Sequence, residues 1–415
     1  MKIAIIGAGI SGLTAAYILS KKHSITLYEK NNYLGGHANT FQVAEKNKIL
    51  AIDTGFIVFN HVNYPNLSKI FSDLNVEIED SDMSFSVHNE KTNLEYNGTS
   101  ISKIFAQRKN IFNINFLLML NDILRFNKNS SAILNSPYSD KITVNEFIKS
   151  NNYKKDFVEN YLIPLGSSLW SCPKEKFMNF SILFVIEFLH NHCMLTVNDR
   201  PIWKTVKGGS KEYIKKMLLD SKNLEIIKNS VKKVVRDTKE VSIFTEDNRS
   251  YYDEVIIACH PDQALNLVDN LEVSEKVILE PFKYEINSTL LHTDTTVLPS
   301  NKSIWASWNY RIPINSQEKV MVTYNMNKLQ NIDSKNTYCV SLNLGSKIDQ
   351  EKIIKEFKYE HPIFFPGIAE YQAQHASLIR NKRISYCGAY WGYGFHEDGV
   401  NSALKVCEKY DMGLA

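Results

Sequence analysis

A glycine motif close to the start of the chain constrains the fold more than any other feature. Residues 2–6, KIAII, form an unbroken apolar run that is typical of a strand buried on both faces of a parallel sheet. The next six residues have the spacing Gly-x-Gly-x-x-Gly: Gly7, Ala8, Gly9, Ile10, Ser11 and Gly12. The first glycine permits a tight turn, the second lets a diphosphate approach the backbone, and the third lets a helix pack closely on the strand. The motif predicts phosphate bound at a helix N-terminus.

The residues after the motif strengthen this prediction. The helix-forming stretch LTAAYILSKK comes first, and the second apolar run, SITLYE, completes a compact βαβ unit that ends at Glu29. Glu29 lies 17 positions beyond Gly12, where a carboxylate accepts hydrogen bonds from a ribose diol. Together these features predict that the ligand is an adenine dinucleotide.

Length and composition exclude several classes of protein. The 415 residues suggest about two or three intertwined domains, and 44% hydrophobic with 22% charged residues is the composition of an ordinary globular chain. A net charge of +3 does not favour a nucleic-acid partner. The six cysteines include no Cys-x-x-Cys pair, so we expect reduced thiols and no metal site.

The apolar runs bear on membrane contact and localisation. The runs at 115–120 and 180–189 are shorter than the roughly 20 residues of a transmembrane helix. We therefore expect a cytoplasmic protein, with peripheral contact at the inner membrane face left open. For the helical run at 110–126, burial in a cap is the favoured interpretation, and docking on lipid is the alternative.

The pattern along the chain predicts an interrupted dinucleotide domain. Helical periodicity prevails over 66–199, which we interpret as a helical cap or substrate region. Short strands with polar turns follow Gly208-Gly209-Ser210, and segments between 265 and 380 alternate in a way typical of a partly antiparallel sheet. The predicted domains are therefore 1–65 with 200–264 and 381–415 for the dinucleotide, 66–199 for the cap, and 265–380 for a substrate sheet.

Further motifs resemble those of a known fold. Gly35-Gly36-His37, shortly after Glu29, resembles the Gly-Gly extension of the FAD-binding fold shared by amine oxidases and carotenoid desaturases. The stretch 52–56 resembles the segment of that fold that runs beside the flavin. Through this resemblance the cofactor is FAD, and the residues that it implicates here are Lys30, Gly35, Gly36, His37, Asp53, Gly55 and Phe56.

Matching segments recur in the same order downstream. Val231 falls where the family places a valine whose backbone meets the adenine, and 253–259 resembles the strand that returns the chain to the FAD domain. The stretches 386–389 and 397–403 resemble the closing motif, in which a helix N-terminus points at the flavin pyrimidine and stabilises negative charge on the reduced ring. This closing motif implicates Gly388, Asp398, Gly399 and Val400.

Nearly the whole chain is similar to a bacterial group of predicted FAD/NAD-binding, amine-oxidase-like proteins related to squalene- and phytoene-type desaturases. The similarity lies in 200–213, 290–299, 304–310, 322–330 and 387–403. It implies an α/β fold: a GR2-type Rossmann-like FAD-binding domain built from discontinuous segments, plus a substrate domain with a mixed β-sheet and a helical cap. It also implies a link to modification of fatty acyl chains.

The sequence departs from the flavin amine oxidases at two points. Those enzymes carry a lysine in a strand of the substrate sheet, whereas the candidate strand here, 285–292, has none and Lys283 lies just before it. His37 replaces the arginine that commonly follows the glycine pair, which leaves neutralisation of the phosphate to groups such as Lys30. Amine oxidation is therefore the alternative rather than the main prediction.

The chemistry of the site is predicted from polar and aromatic residues near the closing motif. His396 and Glu397 are the candidate acid/base pair, although Glu397 is also placed to bond the cofactor. Trp305, Tyr324, Trp391 and Tyr393 are candidates to line a substrate pocket, with core packing as the alternative. We expect an FAD-dependent oxidoreductase that removes hydride from an apolar, unsaturated fatty acyl or isoprenoid lipid. The alternatives are a flavin amine oxidase, and an FAD-bound isomerase or scaffold without net redox turnover.

Overall fold

The computed structural model describes residues 1–134, 140–196, 200–314 and 319–414. The chain divides into two compact units. We call Met1–Glu79, Val206–Lys283 and Ile368–Ala415 the terminal unit, and Asp80–Thr205 with Tyr284–Gly367 the central unit.

The secondary structure of the described residues is as follows. The strands are β1 (Lys2–Ile6), β2 (Ser24–Tyr28), β3 (Thr40–Glu45), β4 (Lys48–Asp53), β5 (Ile78–Asp80), β6 (Phe85–Asn89), β7 (Leu94–Asn97), β8 (Lys204–Val206), β9 (Leu224–Ile227), β10 (Lys233–Arg236), β11 (Val241–Phe244), β12 (Arg249–Tyr252), β13 (Glu254–Ile257), β14 (Lys283–His292), β15 (Trp308–Ile312), β16 (Val322–Asn325), β17 (Cys339–Leu342), β18 (Ile353–Ile363) and β19 (Ile384–Tyr386). The helices are α1 (Ile10–Leu19), α2 (Pro65–Asp73), α3 (Ile101–Ile104), α4 (Ile114–Leu134), α5 (Val144–Ser150), α6 (Lys155–Phe157), α7 (Ile163–Trp170), α8 (Lys174–Met178), α9 (Ile182–Asn191), α10 (Lys211–Asp220), α11 (Pro261–Leu267), α12 (Val273–Leu279), α13 (Met326–Leu329), α14 (Ile368–Gln372) and α15 (His396–Glu408).

A parallel sheet forms the centre of the terminal unit. Its strand order is β19-β13-β1-β2-β9, and each neighbouring pair is parallel. β1 and β2 are buried except at their first residues, and α1 packs against both strands, while α15 packs against α1. The predicted βαβ start, β1-α1-β2, is confirmed, and so is the Rossmann-like α/β class. Two smaller antiparallel sheets, β3-β4 and β10-β11-β12, complete the unit.

The central unit contains a mixed sheet with the order β18-β14-β17-β16-β15-β6-β7. The pairs β14-β17, β17-β16, β16-β15 and β6-β7 are antiparallel, whereas β15 and β6 run parallel. This confirms the predicted mixed sheet. Helices α4 to α9 belong to the same unit. Within the described residues, none of the helices combines the length and the apolar character that crossing a bilayer requires.

The region 66–199, predicted to be a mainly helical cap, also contains strands, since β6 and β7 form a hairpin within it. Both strands are largely buried along their length, so they lack the alternation that identifies a strand with one face in water. The other neighbour of β6 in the sheet, β15, starts more than 200 positions further along the chain. No local pattern reports such a pairing.

The favoured interpretation of 110–126 as a buried segment is also wrong in part. Phe116, Met119 and Phe126 are buried, as predicted for a cap. Phe112 and Ile114, in contrast, are 87% and 72% exposed. The segment therefore carries apolar side chains on both its covered and its open side.

Candidate functional site

The turn between β1 and α1 is shaped for close approach of a ligand. Gly7 has a φ of +105°, a conformation that only glycine adopts without strain, and its N–H donates to the Tyr28 carbonyl at 2.8 Å. A Cβ at Gly12 would collide with the Gly7 carbonyl, so glycine is required there for packing. A Cβ at Gly9 would meet nothing within 4 Å. Gly9 thus leaves open space beside the N-terminus of α1, which fits a diphosphate.

Glu29 is held rigidly next to this turn. One carboxylate oxygen accepts the Ala8 N–H at 2.9 Å, and the other accepts the backbone and side-chain N–H groups of Asn31 at 2.9 and 2.8 Å. A carboxylate has about four acceptor positions, so at least one stays available for a ribose hydroxyl. Lys30, the residue proposed to neutralise phosphate, is exposed.

The glycine pair packs against the same turn. The Gly35 N–H donates to the Ala8 carbonyl at 2.8 Å, and Gly35 and Gly36 have φ values of +119° and +60°. A Cβ at Gly36 would lie 3.2 Å from the Gly9 Cα. The His37 carbonyl in turn accepts the Phe56 N–H at 2.7 Å. Segments 7–12, 35–37 and 55–56 therefore pack together, and their contact with the cofactor stays a prediction.

Asp53 connects this site to α10. Its carboxylate accepts hydrogen bonds from the Thr40 hydroxyl at 2.5 Å, the Ser210 N–H at 2.9 Å and the Ser210 hydroxyl at 2.8 Å. Burial raises the pKa of Asp53 to about 6, although these hydrogen bonds and Lys211 favour the anion. Asp53 thus fixes the path of the chain next to Gly55 rather than remaining free for a ligand.

The C-terminal segment brings a second helix N-terminus to the turn. A Cβ at Gly399, in the first turn of α15, would lie 2.7 Å from an Ile10 methyl group and 2.8 Å from the Ser11 hydroxyl. Gly399 therefore allows α15 to begin directly against the beginning of α1. Val400 is buried behind it, and the Gly388 N–H donates to the Ser402 hydroxyl at 2.9 Å. Two positive helix ends converge, which suits a ligand with negative charge at two places.

The candidate acid/base pair, His396 and Glu397, is brought to the site, but each side chain has a structural partner. The His396 ring stacks on Phe56 with centroids 3.7 Å apart, and its Nε2 lies 3.4 Å from the Tyr213 hydroxyl. Burial, helped by His37, lowers the pKa of His396 to about 3. The ring is therefore neutral and is not a proton donor near pH 7.

Glu397 caps a neighbouring helix. Its two carboxylate oxygens accept the backbone N–H groups of Asn66 at 2.9 Å and Leu67 at 3.0 Å, which belong to the first turn of α2. Burial raises the pKa of Glu397, and these N–H groups oppose that effect. The geometry favours a positioning role for Glu397 over proton exchange with His396.

Asp398 organises the turn before α15. Its carboxylate accepts the Phe395 N–H at 2.9 Å, and burial raises the pKa of Asp398 to about 7, with backbone hydrogen bonds opposing the shift. Val231, predicted to meet the adenine, is buried two positions before β10. The contact between Val231 and the adenine stays a prediction.

The four predicted pocket residues are divided between the units. Trp391 stacks on His375 with ring centroids 4.4 Å apart, and Tyr393 lies two positions further on in the terminal unit. In the central unit Trp305 donates its indole N–H to the Pro299 carbonyl at 2.7 Å, and Tyr324 packs edge-on against Trp308. Their assignment to a substrate pocket stays a prediction.

Sequence reasoning missed Ser210 and Tyr213 as parts of the site. Ser210 holds Asp53, and Tyr213 packs beside both Phe56 and His396. Both lie in the 200–213 segment, which resembles the family but was not assigned a role from the sequence. The available signal in the sequence was the adjacent pair Gly208-Gly209 before Ser210, which is typical of a tight turn. In the structure both glycines have positive φ values.

The fold and the site define a protein with a Rossmann-like dinucleotide-binding domain. Residues 5–74 match the family described as NAD(P)-binding Rossmann-like domain. A 4,4'-diapophytoene desaturase from Staphylococcus aureus (strain Newman) is 58% identical over 40 residues, which are 9% of this chain and 8% of the desaturase. The match therefore spans only a small part of that relative.

Solved structures resemble the chain over almost its entire length. Cyclohexylamine oxidase from Brevibacterium oxydans IH-35A has a TM-score of 0.70 at 13% identity, covering 99% of both chains. Putrescine oxidase bound to putrescine has a TM-score of 0.70 at 14% identity, again covering 99% of both chains. A CLA-producing fatty acid isomerase from P. acnes has a TM-score of 0.67 at 15% identity, covering 98% of both chains. The resemblance to amine-oxidase-like proteins is thereby confirmed at the level of the fold.

Proposed function

We propose that this chain is an FAD-dependent oxidoreductase that removes hydride from an apolar lipid, by desaturation or allylic oxidation of an unsaturated fatty acyl or isoprenoid chain. One observation carries the FAD part of the proposal. The N-termini of α1 and α15 meet at Gly399, directly beside the open space at Gly9, with Glu29 fixed at the adjoining turn. This set of donors and acceptors fits a long dinucleotide with a diphosphate near one end of the site.

The residues divide the task of holding the cofactor. The N–H groups at the start of α1 would bind the diphosphate, and Glu29 would accept the ribose hydroxyls. The N–H groups at the start of α15 would favour negative charge at the far end of the site. When bound, FAD would supply the hydride acceptor that the protein's own side chains lack. His396, neutral and stacked on Phe56, would exclude water from this region.

Two comparisons support a lipid substrate. A short, strongly similar segment belongs to a 4,4'-diapophytoene desaturase, and a structural neighbour is a CLA-producing fatty acid isomerase. The structure adds a related observation. The strand expected to carry the amine-oxidase lysine is β14, and it begins at Lys283, which is exposed, and contains no other lysine. This absence disfavours amine oxidation in the form seen in relatives that use such a lysine.

Amine oxidation is nevertheless the second candidate, because cyclohexylamine oxidase and putrescine oxidase share the fold. An FAD-bound isomerase without net redox turnover is the third, because of the isomerase neighbour. The three candidates differ in electron balance. A desaturase or allylic oxidase leaves two electrons on the flavin per substrate, an amine oxidase does so only with amines, and an isomerase leaves none.

The decisive experiment starts with the visible spectrum of the purified protein and identification of the extracted cofactor. We expect a flavin spectrum and FAD in the extract. Anaerobic mixing with unsaturated fatty acids, phospholipids, isoprenoids and primary amines then separates the candidates. Stoichiometric bleaching by a lipid supports the proposal, and bleaching by amines alone favours the second candidate. A folded protein that is colourless and does not bind added FAD would contradict the cofactor assignment itself.

A further inference from the structure

An exposed apolar segment of the central unit is unlike the rest of the surface. Of the eighteen large apolar side chains that are exposed among the described residues, seven lie between Ile101 and Leu124. The others are scattered along the chain, as is usual for a globular protein. We call residues 101–124 the exposed apolar segment. So many exposed apolar side chains within one segment are typical of a surface that binds a partner.

The apolar side chains of α4 occupy two faces. Phe116, Met119 and Phe126 are buried against the unit. Ile114, Leu117 and Leu118 have the spacing i, i+3, i+4 and are 72%, 41% and 41% exposed. Leu124, seven positions after Leu117, is 60% exposed on the same side. From Ile114 to Leu124 this open face extends for about 15 Å along the helix.

The apolar residues at the start of this face are also strongly exposed. The 3-10 helix Arg108–Phe112 precedes α4, and its last residue, Phe112, is 87% exposed. Ile111 and Ile114 flank it at 44% and 72% exposure. A phenylalanine left almost wholly in water forgoes about 1.5–3 kcal/mol of burial. A side chain in this position gains that free energy on entering an apolar medium.

The exposed charges of this segment are of one sign. Residues 101–124 include Lys103, Arg108 and Lys109, and their one acidic residue, Asp122, is buried. Arg108 and Lys109 are exposed and lie just before the exposed Ile111 and Phe112. Apolar side chains combined with a basic rim are the pattern of a helix that lies in the interface of an anionic bilayer. A protein partner with an apolar groove would explain the apolar side chains but not the exposed basic residues Arg108 and Lys109 at the start of the face.

We propose that the exposed apolar segment docks on an anionic phospholipid bilayer, with Phe112, Ile114 and Leu117 entering the acyl boundary and Arg108 and Lys109 contacting the headgroups. This inference concerns binding only. It can therefore fail or succeed independently of the proposed reaction.

The test is sedimentation of the full chain with vesicles of phosphatidylcholine or of phosphatidylcholine mixed with phosphatidylglycerol. We expect binding to the mixed vesicles that weakens with added salt, and about tenfold weaker binding to phosphatidylcholine alone. The variant Phe112→Ser/Leu117→Ser should lose binding to both vesicles by about tenfold or more. The variant Arg108→Glu/Lys109→Glu should lose only the preference for phosphatidylglycerol.

The matched control is Leu219→Ser, which removes a side chain that is 76% exposed on α10 in the terminal unit. It should bind vesicles like the unchanged protein. All variants replace exposed side chains, and unaltered thermal melting confirms that they fold. Absence of binding to mixed vesicles, or equal binding by the Phe112→Ser/Leu117→Ser variant, would overturn the proposal. So would a dimer that this variant abolishes in the absence of lipid, since the face would then be a contact between two copies.

Discussion

At the scale of single residues, the structure gives the three motif glycines different roles. Gly12 is required for packing, because a Cβ there would overlap the Gly7 carbonyl. Gly9 has a φ of −75° and open space in front of it, so nothing in the protein itself requires glycine. We therefore predict that the bare backbone at Gly9 serves the close approach of a ligand.

This difference predicts the behaviour of Gly9→Ala. The apoprotein should fold with unchanged or slightly higher stability, by about 0.4–1 kcal/mol, because alanine restricts the unfolded chain. FAD binding should weaken by about 1–3 kcal/mol, because the new methyl group occupies ligand space. Urea unfolding and flavin titration measure the two effects. The control is Gly98→Ala, which also places its Cβ in open space but in the central unit. Equal FAD affinity in both variants would contradict the assignment of Gly9.

His396 gives a second test at this scale. Its folded pKa of about 3 lies below the unfolded value of about 6.5. It therefore contributes stability that is fully present above pH 6.5 and is lost as the pH falls towards 3. His396→Phe should keep the stack on Phe56 and remove this sensitivity, whereas His396→Ala should cost about 2 kcal/mol at neutral pH. Denaturant unfolding at pH 5 and pH 8 distinguishes them. If His396→Phe instead abolished turnover without changing stability, His396 would be a proton-transfer group.

At the scale of elements, the junction of α15 with α2 depends on Glu397. The carboxylate satisfies two N–H groups at the start of α2, and Asn66 also donates to Asn401 of α15 at 2.8 Å. The two helices are thereby fixed relative to each other near the candidate cofactor site. The same hydrogen bonds occupy both carboxylate oxygens of Glu397, which disfavours a role as general acid.

Removing this cap should destabilise the terminal unit. Glu397→Ala leaves two helix N–H groups without their acceptor and should cost about 1–3 kcal/mol. Glu397→Gln keeps one oxygen and should cost about half as much. The control on the same helix is Glu408→Ala, because Glu408 is exposed at the end of α15. Thermal and urea unfolding measure these effects. Wild-type stability for Glu397→Gln together with a loss of about a hundredfold or more in turnover would show general acid catalysis instead.

The elements also show how much of the fold could be predicted from the sequence. The unit β1-α1-β2 follows from local information, since its apolar runs and glycines are adjacent in the chain. The bonds that complete the site do not: Asp53 and Ser210 are 157 positions apart, and Glu397 and Leu67 are 330 apart. Resemblance identified the segments of Asp53, Ser210 and Glu397 but not that of Leu67, and it did not show which side chains meet. The exposure of Phe112 was likewise beyond prediction, because a periodic apolar pattern does not say which face is covered.

At the scale of the whole molecule, buried ionisable groups determine how stability depends on pH. Burial lowers the pKa of His192, His292 and His375 to about 4 and that of His396 to about 3. Burial acts in the opposite direction on three carboxyl groups of the site: it raises the pKa of Asp53 to about 6 and that of Asp398 to about 7, and it also raises the pKa of Glu397. The histidines make the unfolded chain bind more protons in mild acid, and the two aspartates make the folded chain do so.

The balance of these groups predicts a loss of stability in mild acid. Near pH 5.5 the four histidines are protonated mainly in the unfolded state, whereas Asp53 and Asp398 are protonated mainly in the folded state, so these six groups together take up about two protons on unfolding. Stability should therefore fall by roughly 3 kcal/mol per pH unit as the pH decreases from 6 to 5. Thermal melting of the apoprotein at constant ionic strength measures this slope. His396→Phe should make it shallower by about 1.4 kcal/mol per unit, and Asp398→Asn should make it steeper by a similar amount, since it removes an opposing group. A flat profile between pH 5 and 7 would mean that the histidines are not kept neutral by burial in the folded protein.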